Sequence, residues 1–152
     1  MHLSHQNLQT MARIKIELPD SFTFSTEIPI YIGHINYGHH LDNAQLISLV
    51  SEARVRYFKS MGYSELDVEG VGIVVADVAA QYRSEAFHGE TLVVEMTAND
   101  FNKYGCDLVW RLSDLATGRE VARGKHGIIF FDYTARKATS VPAAFVTKAQ
   151  QP

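Results

Sequence analysis

The sequence predicts an α+β fold in which one long, largely enclosed helix is covered by a curved antiparallel sheet of five or six strands. Three observations carry this. Helical periodicity occurs once at length, from Asp42 to Met61, and is apolar over most of its circumference. Period-two alternation precedes that stretch, and long strand-like runs follow it. Short turns rich in Gly, Asn and His separate those runs. With 152 residues and 46% apolar side chains, the chain has the size and the core of one domain. Residues 11–152 are read as that domain. Residues 1–10 are polar and unpatterned and are expected to be a flexible extension, or to lie upstream of the natural start at Met11.

The first alternation, Arg13-Ile14-Lys15-Ile16-Glu17-Leu18, has the period of a half-buried strand and ends at Pro19-Asp20-Ser21. In the second, Phe22, Phe24, Thr26, Ile28, Ile30 and Ile32 share one face, and Pro29, which lacks a ladder donor, marks an edge or a bulge. The following Gly33-His34-Ile35-Asn36-Tyr37-Gly38-His39-His40 is too rich in Gly and His to continue a strand. Asp42 or Asn43 has the chemistry of an N-cap, and Gly62 stands where a helix end needs left-handed backbone. Leu46, Val50, Ala53 and Tyr57 form one apolar stripe beside Ile47, Phe58 and Met61. The polar stripe of Gln45, Ser48, Glu52, Arg56 and Lys59 is narrow, so the helix is enclosed.

Four further strands are expected at Gly72 to Arg83, Thr91 to Asn99, Cys106 to Asp114 and Glu120 to Tyr133. Turns at His88-Gly89-Glu90, Asn102 to Gly105 and Thr117-Gly118 predict antiparallel hairpins between consecutive strands. Pro142 to Lys148 is expected to form a short terminal helix. Val93, Trp110, Ile129 and Phe131 add more strand-borne apolar surface than one helix covers, which predicts a homodimer or homotetramer.

The formal charge of -3 comes from 14 basic and 17 acidic residues scattered along the chain, with no like-charged block, so neither nucleic acid nor membrane is an expected partner. A lone cysteine, Cys106, makes an intramolecular disulfide impossible and argues against a thiolate metal site; a reducing cytoplasm fits best. No signal-peptide pattern and no run of 18 apolar residues marks the chain for export or insertion.

Between Ile14 and Phe145 the order of elements resembles the 4-hydroxybenzoyl-CoA thioesterase branch of the hot-dog superfamily. The segment Gly33 to Ala44, with Ser51-Glu52-Ala53-Arg54 after it, is similar to that family's Asp-x-Asp-x-x-Gly-His-Val-Asn-Asn-Ala motif and its Glu-Ala-Arg continuation. Tyr82-Arg83-Ser84-Glu85-Ala86 with Gly89-Glu90-Thr91-Leu92, and Phe131-Asp132-Tyr133 with Val141-Pro142, resemble its later landmarks. The usual catalytic aspartate of the family falls at Asn36, and the earlier aspartate of the motif falls at His34. A subset of the family carrying Ile-Asn-Tyr-Gly-Gly-His-Leu is more similar still.

The resemblance implies hydrolysis of an acyl-CoA thioester, without a metal or other cofactor, by the loop that enters the helix. Such chemistry needs an activated water and hydrogen-bond donors for the carbonyl oxygen. The free N–H groups at the helix start can serve as those donors, and Gly38 lets a ligand approach the backbone. Asn36, His40 and Asp42 are the candidate catalytic residues, and Tyr37, Gly38 and Asn43 are expected to touch the substrate. Each has a plainer reading: Asn36 as a turn residue, His40 as a packing residue, Asp42 as a helix cap. Glu52, spaced to pair with Arg56, and Asp77, inside an apolar run, stand in reserve as carboxylates. Neighbouring His34, His39 and His40 invite a metal, but no acidic partner stands at a recognised ligand spacing. Two rival readings are a non-catalytic acyl-CoA-binding protein that kept the fold, and an enoyl-CoA hydratase.

Overall fold

The computed structural model describes residues 13–151 of the protein; the expectation for residues 1–10 lies outside them. Six strands, β1 (Phe24–Pro29), β2 (Gly72–Tyr82), β3 (Thr91–Asn99), β4 (Gly105–Asp114), β5 (Glu120–Asp132) and β6 (Lys137–Ala138), form one sheet. Helix α1 (Asn43–Ser60) packs against its inner face, and the short α2 (Ala143–Ala149) follows the last strand. All pairings are antiparallel, in the order β1-β3-β4-β5-β2, with β6 beside β5. This is the hot-dog arrangement expected from the sequence.

Residues of strict alternation build the interface between sheet and helix. Leu92, Val94 and Met96 on β3 and Leu108, Trp110 and Leu112 on β4 are fully buried, opposite Val50, Ala53 and Phe58 of α1. Trp110 is therefore core rather than surplus surface: the inner curve of the sheet is deep enough to enclose it, and its Nε1 donates to Nδ1 of buried His126 at 3.0 Å. Desolvation, aided by the Arg54 guanidinium, pushes His126 down to about 4. Val93, Ile129 and Phe131 lie half-buried on the outer face. At the far end of α1, Gly62 adopts φ +87 and stops the helix. There Phe145 of α2 sits among Phe58, Tyr63, Phe101 and Phe130, with ring centroids 5.1 to 6.3 Å away.

Three sequence expectations are corrected. The turn at His88–Glu90 does not make a hairpin. Arg83 and Ser84 donate to the Val121 carbonyl, pinning the end of β2 to β5, and the chain then crosses to begin β3 between β1 and β4. Turn residues report a local reversal, not which strands become neighbours. Arg13 to Leu18 is also not a strand, since it has no ladder partner. It runs across the outer face as a strap. The Ile16 N–H donates to Gln81 Oε1 at 2.8 Å, Arg123 donates to the Ile16 carbonyl at 3.4 Å, Phe22 lies under the Arg111 guanidinium, and the Thr23 and Thr97 hydroxyls are 3.0 Å apart. Of its alternating apolar residues Ile16 and Leu18 are half-buried, whereas Ile14 is exposed, so only part of the alternation faces the sheet. The strand predicted from Phe22 to Ile32 is likewise shorter, and Ile32 is exposed where a 3-10 turn, Ile32–His34, leads toward the helix.

Candidate active site

The chain between the 3-10 turn and α1 forms a narrow loop closed at its base by an antiparallel bridge between Ile35 and Leu41. Within it the Asn36 N–H donates to the His40 carbonyl and the His39 N–H to the Asn36 carbonyl, both at 3.0 Å. His39 takes φ +67 to complete the turn. Asn36 Oδ1 accepts from the Gly38 N–H at 2.9 Å, which folds the amide back over the loop. A Cβ at Gly38 would lie 3.0 Å from His40 Nε2 and 3.3 Å from Asn36 Oδ1, so Asn36, Gly38 and His40 converge on one spot where a larger residue does not fit freely.

His40 Nδ1 lies 3.1 Å from the Leu41 carbonyl oxygen. A carbonyl only accepts, so Nδ1 holds the proton and Nε2 keeps a lone pair. Asp42 is the helix N-cap. Its Oδ2 accepts from Ala44 and Gln45 at 2.9 and 3.1 Å, its carbonyl accepts from Leu46, and its Oδ1 accepts from Asn36 Nδ2 at 3.4 Å. Hydrogen bonding from the Gln45 amide, with those of Asn36 and Ala44, lowers the Asp42 pKa and makes it a weak base. With these donors engaged, the Asn43 N–H is the first-turn donor left without a protein partner among the described residues.

A cleft of about 430 Å³ opens beside this loop. Asn36, His40 and Asn43 line one side, Tyr82 to Ala86 the other, and Leu41, Leu46 and Val121 form an apolar floor. The Leu41 N–H donates to the Ala86 carbonyl at 2.8 Å, and the Tyr82 hydroxyl donates to the Asn43 carbonyl at 2.9 Å. A hollow of about 290 Å³ at the other end of α1 is lined by Thr23, Tyr57, Ser60, Lys148 and Gln151 among others and, among the described residues, contains no histidine and no carboxylate.

The thioesterase-like superfamily is the family whose profile matches, over residues 30–149. The chain belongs to this superfamily. No curated protein matches it. Among solved structures, this thioesterase-like chain superposes on the PA2801 protein of Pseudomonas aeruginosa with a TM-score of 0.76 and 23% identity, over 84% of this chain and 98% of that one. An aspartate-to-asparagine variant of 4-hydroxybenzoyl-CoA thioesterase, in complex with 4-hydroxybenzoyl-CoA, gives 0.75 and 17%, over 84% and 98%. The 1,4-dihydroxy-2-naphthoyl-CoA thioesterase of Synechocystis gives 0.75 and 16%, over 83% and 94%. The family is thioesterase-like, and the fold of these structures is the fold of this chain.

In this superfamily member the cleft gathers Asn36, His40 and Asn43, with Asp42 and Gly38 directly behind them. Tyr37 projects fully exposed at the loop tip, outside the cleft lining. Glu52 is exposed and pairs with Arg56 at 3.1 Å, and Asp77 projects from the outer face, beside a bulge, to pair with Lys125 at 2.5 Å. Neither carboxylate lines the cleft of its own chain. His34 accepts from the Tyr31 N–H and His39 is exposed, so the three neighbouring histidines do not converge. Burial pushes the Cys106 thiol up to about 12, which makes it a poor nucleophile. Sequence reasoning missed the opposite wall. The block Tyr82 to Ala86 stood out only as a landmark, because contacts made across dozens of residues leave no spacing to read.

Proposed function

We propose that the protein hydrolyses acyl-CoA thioesters with a water molecule activated by His40 and oriented by Asn36. The reading rests above all on the convergence of the His40 Nε2 lone pair and the Asn36 amide beside the unpartnered Asn43 N–H. The thioester carbonyl oxygen accepts from that N–H, where the helix dipole favours developing negative charge. Water attacks the carbonyl carbon as Nε2 takes its proton, giving a tetrahedral intermediate. Collapse of the intermediate breaks the C–S bond. The proton on Nε2 passes to the departing sulfur, leaving a carboxylic acid, free coenzyme A and the original imidazole. Asp42, held ionised by the first helical turn, keeps the Asn36 amide turned toward the site. Asn36 itself neither gains nor loses a proton.

The active unit is proposed to be a homodimer. Strand β2 is an edge of the sheet, and Val75 and Val78 on its inner side, with Val55 on α1, stay 40 to 47% exposed. Sedimentation at micromolar concentration should show a mass above 17 kDa, and a stable monomer contradicts the dimer. The activity is tested by free-thiol release from a panel of acyl-CoA thioesters of varied length and aromaticity. Tight binding of those thioesters without thiol release would favour the non-catalytic binding protein, and absorbance loss from an enoyl-CoA the hydratase.

A further inference from the structure

The reactive loop is docked onto the opposite wall of the cleft at two points. One is the backbone hydrogen bond from the Leu41 N–H to the Ala86 carbonyl at 2.8 Å. The other is made by a side chain, the Tyr82 hydroxyl donating to the Asn43 carbonyl at 2.9 Å. Tyr82 is the last residue of β2, and the chain just beyond it is fixed by the Arg83 and Ser84 N–H groups on the Val121 carbonyl, at 2.8 and 3.1 Å. The hydroxyl therefore reaches from a held strand end to the first residue of α1.

Asn43 is where the helix-start donor sits. The Asp42 cap, by holding Ala44, Gln45 and Leu46, fixes the shape of the first turn, but no bond of the cap itself reaches the far wall of the cleft and sets where that turn stands against it. The Tyr82 bond does. A displacement of about an ångström at an oxyanion donor is enough to lose a large part of its effect on rate. The ring is half exposed and packs little, so its contribution lies in the hydroxyl rather than in burial.

We propose that Tyr82 is a positioning residue for the reaction, holding the Asn43 N–H at the site through its hydrogen bond to the Asn43 carbonyl. The inference rests on the thioesterase reading above. Tyr82→Phe removes the oxygen and keeps the ring, and Tyr82→Ala removes both. Both variants should lose roughly tenfold to a hundredfold in kcat with KM little changed. Hydrogen exchange gives a readout independent of turnover. The amides of Ala44, Gln45 and Leu46 should exchange roughly fivefold faster in Tyr82→Phe, a factor matching one hydrogen bond, while amides in the middle of α1 stay as they were.

Loss of kcat together with faster first-turn exchange supports the proposal. Faster exchange with unchanged kcat shows an anchor irrelevant to the reaction and overturns it. Lower kcat with unchanged exchange means that the hydroxyl acts on substrate directly, which overturns it as well. A Phe variant equal to wild type beside a slow Ala variant assigns the effect to the ring and also overturns it. Failure of the wild-type protein to release thiol from any acyl-CoA in the panel is a different result: it removes the thioesterase reading and this inference with it.

Discussion

The two ends of α1 are built from opposite materials. At its start a loop of eight residues, Asn36 to Asn43, is held by hydrogen bonds from backbone, amide and carboxylate, and the side chains that converge there are partly open to solvent. At its finish, four aromatic rings around Phe145 close the core with little polar contact. Hydrogen bonds fix direction at small net gain in stability, whereas aromatic burial stabilises strongly but aims nothing. Substitutions at the start should therefore act on rate, and those at the finish on stability.

The largest effects are expected at the start. Asn36→Ala or His40→Ala should lower kcat by roughly ten- to ten-thousandfold, the range for a lost proton transfer or polarising contact, with the melting temperature nearly unchanged. Thiol-release kinetics and a thermal melt measure both. Full activity in both variants would move the chemistry elsewhere, with the carboxylates Glu52 and Asp77 the first to test. Phe145→Ala should do the reverse, destabilising by about 3–5 kcal/mol while kcat per folded molecule holds. Denaturant unfolding set beside active-site kinetics decides it, and a variant that loses rate but not stability breaks the contrast between the two ends.

A third effect comes from the middle of the sheet. Unfolded His126 takes a proton near its ordinary 6.5, whereas the folded residue takes one only near 4, because charging it requires desolvation beside Trp110 and Arg54. The folded state binds fewer protons between these values, so stability is full above about 6.5 and falls as pH drops toward 4. The loss amounts to at most ~3 kcal/mol. Melts across pH 4 to 7 should show this slope in the wild type and a flatter one in His126→Gln.

The smallest change sharpens the comparison most. Asp42→Asn keeps a capping oxygen for Ala44 and Gln45 but turns an amide group toward the amide of Asn36, where Oδ1 now accepts. Helix stability should stay within a few tenths of a kcal/mol while kcat falls roughly tenfold. A wild-type rate in Asp42→Asn would show that Asn36 needs no partner.

Much of this was legible from residue order alone. The boundaries of α1 follow from Asp42 and Gly62, and β3, β4 and β5 follow from alternation between marked turns, because cap chemistry and strand period are local. Neighbour choice is not local. Turn residues at His88–Glu90 could not disclose that β2 pairs with β5, and alternation from Arg13 to Leu18 could not tell a strap from a strand. The candidate site divides in the same way. Its loop is contiguous and was readable, whereas the wall from Tyr82 to Ala86 meets that loop only after the sheet has curled.

The strap gives the sheet a second interior. An open sheet over one helix normally leaves its convex side free to vary, yet Val109 and Thr97, both on that side, are 4% and 6% exposed. A lysine at Val109 should therefore behave as a buried charge and destabilise like a core change, although every diagram of the fold would place it on the outside. Substitution tolerance in this molecule follows cover rather than side, and two chains sharing the same strand order but lacking such a strap would accept different residues on the same face.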